Sequence, residues 1–187
     1  MIFVYCIISI ITETVIGYLS HKIDNFYLYA SFTICEYTII TLFFILSFKE
    51  KKFKYVPVIG SVVFFIIAIV NFAYKKSETF DSLSATVEAI LIIIYSILFL
   101  YDQIRDPSVA FIYNTKKFWV VIALFIYFSS TLFLFLYATT FTNQEYRSYW
   151  DINNFFDIIK NILFCIAFIM KNDNKKEYPF ENPYEDV

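Results

Sequence analysis

Apolar residues fall in six long blocks separated by short polar stretches: about 2–19, 27–48, 55–74, 84–101, 118–138 and 152–170. Each approaches or exceeds the run of about 18–20 residues with which a helix crosses the hydrocarbon core of a bilayer. The block at 84–101, SATVEAILIIIYSILFLY, is the clearest, because it is almost wholly apolar apart from a single carboxylate, Glu88. As a helix it rises about 27 Å, close to the thickness of that core. The pattern predicts an all-α fold, a polytopic transmembrane helical bundle of six spans. It forms one domain over 1–170, followed by a short tail at 171–187 whose composition cannot bury enough to fold alone. The first block is expected to be a true span and not a secretory signal, because it lacks a basic start, Glu13 interrupts it, and no small-residue cleavage site follows.

Within each span the polar and small residues recur at helical spacing and mark an inward face. The stripes are Cys6, Ser9, Glu13 and Gly17; Tyr29, Thr33, Glu36 or Tyr37, and Thr41; Gly60 or Ser61, Phe64, Ala68 and Asn71. The later spans give Ser84, Glu88, Tyr95 and Asp102; Tyr127, Ser130 or Thr131, and Tyr137; then Asn153, Asn154, Asp157, Lys160 and Asn161. Pro57 is expected in the first turn of the third span, where a missing N–H is tolerated. Gly17 and Gly60 are the only glycines, so there is no G-x-x-x-G packing motif and no glycine-broken transporter helix.

Loop charge sets the orientation. The connections 49–54 and 102–117 and the tail hold ten Lys and Arg residues: Lys49, Lys51, Lys52, Lys54, Arg105, Lys116, Lys117, Lys171, Lys175 and Lys176. The opposite side has four, Lys22, Lys75, Lys76 and Arg147. The positive-inside rule therefore predicts both termini in the cytoplasm. Tyr55, Tyr74, Tyr101, Trp119 and Trp150 near span ends fit an interfacial aromatic belt.

Composition strengthens the membrane reading. The chain of 187 residues is 59% hydrophobic and 17% charged, with mean hydropathy +0.62. A soluble domain carries about 25% charge, so the surplus apolar surface needs a lipid bilayer as partner. A net charge of −2 without a basic stripe gives no case for nucleic acid as a partner. The 22% of aromatic residues fits either a low-GC genome that favours Phe and Tyr codons or an aromatic ligand cage. Cys6, Cys35 and Cys165 all lie in apolar blocks and read as small hydrophobes, not as a disulfide or metal pair.

Candidate chemistry follows from depth. Counting about 1.5 Å per residue from the outer edge, Asn71 lies about 5 Å down, Glu88 about 6, Asp157 about 8, Glu13 about 9 and Glu36 about 14. With Asn154 and Asn161 beside Asp157, these seven are the candidate ligand- or ion-binding residues, lining a vestibule open to the outside and closed below by Ile, Leu and Phe. Simpler roles compete for some of them. Asp157 and Lys160 are i,i+3 and can neutralise each other; Asn71 can be interhelical glue; Glu88 can serve the first turn around Ser84. Glu13 and Glu36 are deeper than a cap explains, and an intramembrane carboxylate is a functional-site hypothesis by default. The excess of carboxylates over one lysine is suited to binding protons or cations.

Catalysis has no equipment here. His21 is the one histidine, and no G-x-S-x-G, H-E-x-x-H or phosphate-binding loop occurs. The expectation is a non-enzyme with no cofactor, no catalytic residue and no metal site. Lys160 as a chromophore-linking lysine with Asp157 as counter-ion is too shallow for that role, and six spans fall one short of an opsin. The tail KNDNKKEYPFENPYEDV, basic at first and acidic at its end, is either a solvated end or a docking peptide for a cytoplasmic or membrane protein partner.

The stretches NFYLYASFTICEY (25–37), ATVEAILIIIYSILFLY (85–101) and the pair Phe118-Trp119 resemble small multi-pass proteins of bacterial inner membranes, and the membrane sensor halves of some bacterial signalling proteins. The resemblance implies a multi-pass inner-membrane location and a part in signal input, and assigns no residue a role. The leading expectation is a sensor or signal-input module that binds a small ligand, proton or cation in the outward vestibule. A small secondary transporter or ion-coupled permease is the first alternative. Two inverted triplets of spans would pair Glu13 with Glu88, Glu36 with the Ser129–Thr131 cluster and Asn71 with Asp157. Both members of the first and third pairs lie outward, which counts against it. A structural or regulatory subunit of a membrane complex, with the stripes acting only as packing, is the other alternative.

Overall fold

The computed structural model describes residues 2–19, 25–74, 81–105, 112–137 and 143–170. The tail 171–187, His21, Lys22, Lys75 and Lys76 lie outside them, as do the side chains of Glu13 and Arg147. The described chain is all-α, with six long helices: α1 (Ile2–Leu19), α2 (Asn25–Ser47), α3 (Lys51–Ala73), α4 (Ser82–Ile104), α5 (Lys116–Tyr137) and α6 (Asn143–Ile169). A single 3-10 turn, Ile112–Asn114, precedes α5. Five stretches are long and apolar enough to cross a membrane: Tyr29–Ser47, Lys51–Ala73, Ser82–Ile104, Lys116–Tyr137 and Trp150–Ile169. They are compatible with a multi-pass integral membrane protein.

Local chemistry explains where the helices start and stop. Asp81 precedes α4 and its carboxylate accepts from the Ser84 N–H at 3.2 Å, filling one of the donors a helix start leaves open. Glu88 therefore does not cap this turn. At the head of α5 the Thr115 hydroxyl accepts from Phe118 N–H at 3.3 Å. The α2–α3 connection is held by the buried carboxylate of Asp102, near the end of α4, which accepts from the Lys49 N–H at 2.9 Å. Pro57 is not in the first turn of α3, because the lysine-rich residues ahead of it are already helical. It lies inside the helix on the buried face with Gly60, Phe64 and Ala68, and its carbonyl accepts from the Ser61 hydroxyl at 2.7 Å.

The helices make a circuit. α1 packs on α2, α2 on α4, α4 on α5 and α5 on α6. Side chains close the circuit from α6 back to α1: Tyr5 meets Phe164 edge-on at 5.9 Å, Phe3 meets Phe168 at 6.4 Å, and Lys160 donates to the Tyr5 hydroxyl. α3 lies against both α2 and α4. Half of the apolar window of α2 and of α4 is buried, against 22% for α3 and 17% for α6, so α2 and α4 form the centre. The outward faces carry exposed Ile, Val, Leu and Phe, as a lipid environment favours.

Toward the ends of α2 and α4 the centre is aromatic. Phe44 packs on Tyr95 and Phe99, and Phe48 on Phe99 and Phe53, with ring centroids 5.8–6.4 Å apart. This dry layer lies two to three turns beyond Glu36 and Glu88 on their helices.

Candidate functional site

Five helices of the circuit each place a buried polar side chain at one region of the bundle. They are Tyr5 on α1, Glu36 on α2, Glu88 on α4, Tyr127 on α5 and Lys160 on α6. Tyr5 is 1% exposed, Glu36 7%, and Glu88 and Lys160 2% each. Polar groups this enclosed are costly unless they satisfy one another.

Most of them do. The Tyr5 hydroxyl donates to Glu36 Oε1 at 2.6 Å, and Lys160 Nζ donates to the Tyr5 oxygen at 2.9 Å. The same ammonium pairs with Asp157 Oδ1 at 2.5 Å, and the Asn161 amide donates to Asp157 Oδ2 at 2.8 Å. Tyr127 lies beneath the ammonium, its ring centroid 4.1 Å from Nζ, and its hydroxyl donates to Asn153 Oδ1 at 3.3 Å. Two aromatic faces, those of Tyr5 at 5.3 Å and Tyr127, thus enclose the lysine in cation–π contact. The result is a chain of contacts, Glu36–Tyr5–Lys160–Asp157–Asn161, joining α2, α1 and α6.

Glu88 stands apart from this chain. Its Oε1 is buried with no hydrogen-bond partner, and so is the Ser84 hydroxyl one turn earlier on the same helix face. The charged groups within electrostatic range of Glu88 are Glu36, Asp81 and Lys160. Among the described residues no three His, Cys, Asp or Glu side chains converge as a multivalent metal site requires.

The other candidates are dispersed. Asn71, half-buried near the end of α3, donates to Asp81 Oδ1 at 2.5 Å and so links α3 to the α4 cap. Ser82, also at the head of α4, donates to the Phe135 carbonyl and links α4 to the end of α5. Asn154 is exposed; Asn161 is exposed and bonded to Asp157. Glu13 lies in α1, with its side chain outside those described. The pairing of Asp157 with Lys160 is present, and it is only one part of a larger network.

Tyr5 and Lys160, central to the chain of contacts, are not among the seven candidate binding residues read from sequence. Tyr5 lies one helical turn before Ser9 and so belongs to the same polar stripe, but its hydroxyl partner is 31 residues away and its lysine 155. Lys160 looks shallow when its span is started at 152. The helix begins at Asn143 and its apolar stretch at Trp150, which puts Lys160 ten residues, about 15 Å, into a span of twenty.

A second polar knot joins α2, α3 and α4. The hydroxyls of Tyr37 and Tyr95 lie 3.0 Å apart, and Tyr37 also donates to Ser61 Oγ at 3.4 Å. Tyr37 stacks on Phe64 with centroids 3.8 Å apart. Cys6, Cys35 and Cys165 are free thiols. No protein-family model matches the chain, and neither the curated proteins nor the solved structures contain one that matches it at the level that marks relatedness.

Proposed function

We propose that this chain is a non-enzymatic integral protein of the cell inner membrane, with six spans and both termini in the cytoplasm. In this reading it serves as a sensor or signal-input module that takes up a proton or small cation in its polar interior. The observation that carries the reading is the buried cluster of Tyr5, Glu36, Glu88, Tyr127 and Lys160, one residue from each of five helices. Three carboxylates, Glu36, Glu88 and Asp157, share one ammonium, that of Lys160. A surplus of buried negative charge in a bilayer calls for cations or protons to accompany it. Whatever neutralises the cluster acts on contacts that tie α1, α2 and α6 together, so occupancy biases helix packing by its differential affinity for the two arrangements. A cytoplasmic partner reading the basic face or the tail would receive that change.

Trp150 offers a direct readout, because it stacks on Tyr29 across α6 and α2 with centroids 6.3 Å apart. The test uses the full chain in lipid nanodiscs with Trp119 replaced by Phe, so that Trp150 is the single tryptophan. Fluorescence and the thermal midpoint are followed across pH and across alkali cations. Both are expected to respond, and Glu36→Gln to alter the response. Midpoints and spectra that stay flat across all conditions overturn the reading. Substrate-driven uptake by proteoliposomes would replace it with transport.

A further inference from the structure

We propose that the exchangeable ligand of this protein is a monovalent cation, a proton or an alkali ion, seated at Glu88 and Ser84 on α4, with Lys160 as a fixed internal counter-charge. The inference rests on the sensing function proposed above and specifies its site and ligand class.

The argument begins with which groups already have partners. Glu36 receives the Tyr5 hydroxyl, and the Lys160 ammonium is divided among Asp157, the Tyr5 oxygen and the Tyr127 ring. Lys160 is thus committed to the α6–α1 side of the bundle. Glu88 Oε1 is left without a donor although the residue is 2% exposed. An ionised carboxylate so placed is strongly disfavoured without a partner. The second observation is independent: the Ser84 hydroxyl, fully enclosed, has no partner either, and i,i+4 spacing puts it next to Glu88. A hydroxyl in a helix usually bonds back to a carbonyl one turn earlier, as those of Ser96 and Thr131 do here. That of Ser84 does not. Two orphan oxygens, one anionic and one neutral, are hard ligands of the kind alkali ions take, and the carboxylate alone serves a proton.

The ligand set selects a monovalent ligand. The charged groups acting on Glu88 are Glu36 from α2, Lys160 from α6 and Asp81 at the cap of α4 itself; Tyr5 from α1, Tyr127 from α5 and Asp157 from α6 lie around that lysine. The only titratable groups of α3 are Lys51, Lys52, Lys54 and Tyr55, all at its other end. A divalent ion would meet the opposing ammonium, and among the described residues no three carboxylate, cysteine or histidine side chains converge to hold one. One added positive charge compensates the carboxylate of Glu88, whose Oε1 has no partner. Asp81 and Ser84 precede Glu88 at one-turn intervals along the helix.

The test measures thermal midpoints of the full chain in nanodiscs with two titrations: sodium or potassium against choline at fixed pH, and pH in choline alone. An alkali site raises the wild-type midpoint by several degrees, saturably, in the first. A proton site raises it as pH falls in the second: folding then takes up a proton, so stability is lost as pH rises. Glu88→Gln supplies a neutral side chain of the same shape. It is expected to fold, to be at least as stable as wild type in choline at high pH, and to lose both dependences. Ser84→Ala is expected to weaken the alkali response at least severalfold and leave the proton response in place. A wild type insensitive to both titrations removes the sensing function itself. A sensitive wild type with an equally sensitive Glu88→Gln, or a Glu88→Gln that fails to fold, overturns this site alone.

Discussion

Replacing Gly60 with alanine tests the packing of the α2–α3–α4 junction with a single methyl group. A Cβ at Gly60 would stand 2.0 Å from the Tyr95 hydroxyl oxygen, 3.1 Å from Tyr95 Cζ and 3.3 Å from Leu91 Cδ2. The first distance is impossible, so the ring must move by more than about 1 Å. Tyr95 has no room to yield. It is 0% exposed, its hydroxyl lies 3.0 Å from that of Tyr37, and its ring packs on Phe44. Overpacking of this kind costs about 1–3 kcal/mol, and losing the hydroxyl contact adds about 1 kcal/mol. Alanine recovers about 1 kcal/mol through its better helix propensity. The net expectation is destabilisation of about 1–3 kcal/mol.

The assay is denaturant or thermal unfolding of the purified chain, with Tyr95→Phe and the double variant completing a cycle. Because the closest contact is to the hydroxyl, Tyr95→Phe removes most of the clash, and Gly60→Ala in that background is expected to be close to neutral. The coupling should exceed about 1 kcal/mol. A Gly60→Ala protein as stable as wild type would falsify the close approach of α3 to α4, and additive losses in the double variant would refute Tyr95 as its cause.

Two further expectations concern the polar contacts. Lys160→Met removes the ammonium from Asp157 and Tyr5 and leaves Asp157 with Asn161 alone, and breaking such a pair costs about 3–5 kcal/mol. Asp157→Asn added to it is expected to restore much of the loss, measured by the same unfolding transition; no restoration refutes charge as the cause. Asp81→Ala removes both the cap on Ser84 N–H and the acceptor of Asn71, for a loss of about 1–2 kcal/mol. Asn71→Ala is expected to add little in that background, so fully additive losses would show that the two act separately.

Much of the architecture was legible because lipid imposes a length and an apolar surface on each helix. All six helices occur where the apolar blocks lie, and Glu36, read as too deep for a cap, is buried and hydrogen-bonded. The ends were less legible, for a physical reason. Hydropathy marks where a helix meets hydrocarbon, whereas hydrogen bonding marks where it begins. α6 therefore starts nine residues before its apolar block, through the polar NQEYRSYWD, and α3 starts four earlier, which moves Pro57 inside it. The site was legible only as separate stripes. That Tyr5 sits between Glu36 and Lys160 is a fact about three helices far apart in the chain, and no local periodicity contains it. The role of Glu88 turned on one neighbour: Asp81 supplies the cap, and the deeper carboxylate is released from that explanation.

Buried charge in a bilayer argues for function when it exceeds what packing needs. α2, α3 and α4 are joined by a knot of Tyr37, Tyr95 and Ser61 that carries no formal charge. Hydroxyls suffice there, and the aromatic layer beside them needs none at all. The junction of α1, α2 and α6 uses a lysine and two carboxylates for the same mechanical task, at a much larger desolvation cost. The same bundle thus holds helices together in two ways, and only one of them carries formal charge. The expensive version lies next to the unpartnered oxygens of Glu88 and Ser84, and that proximity is what turns a packing contact into a candidate switch.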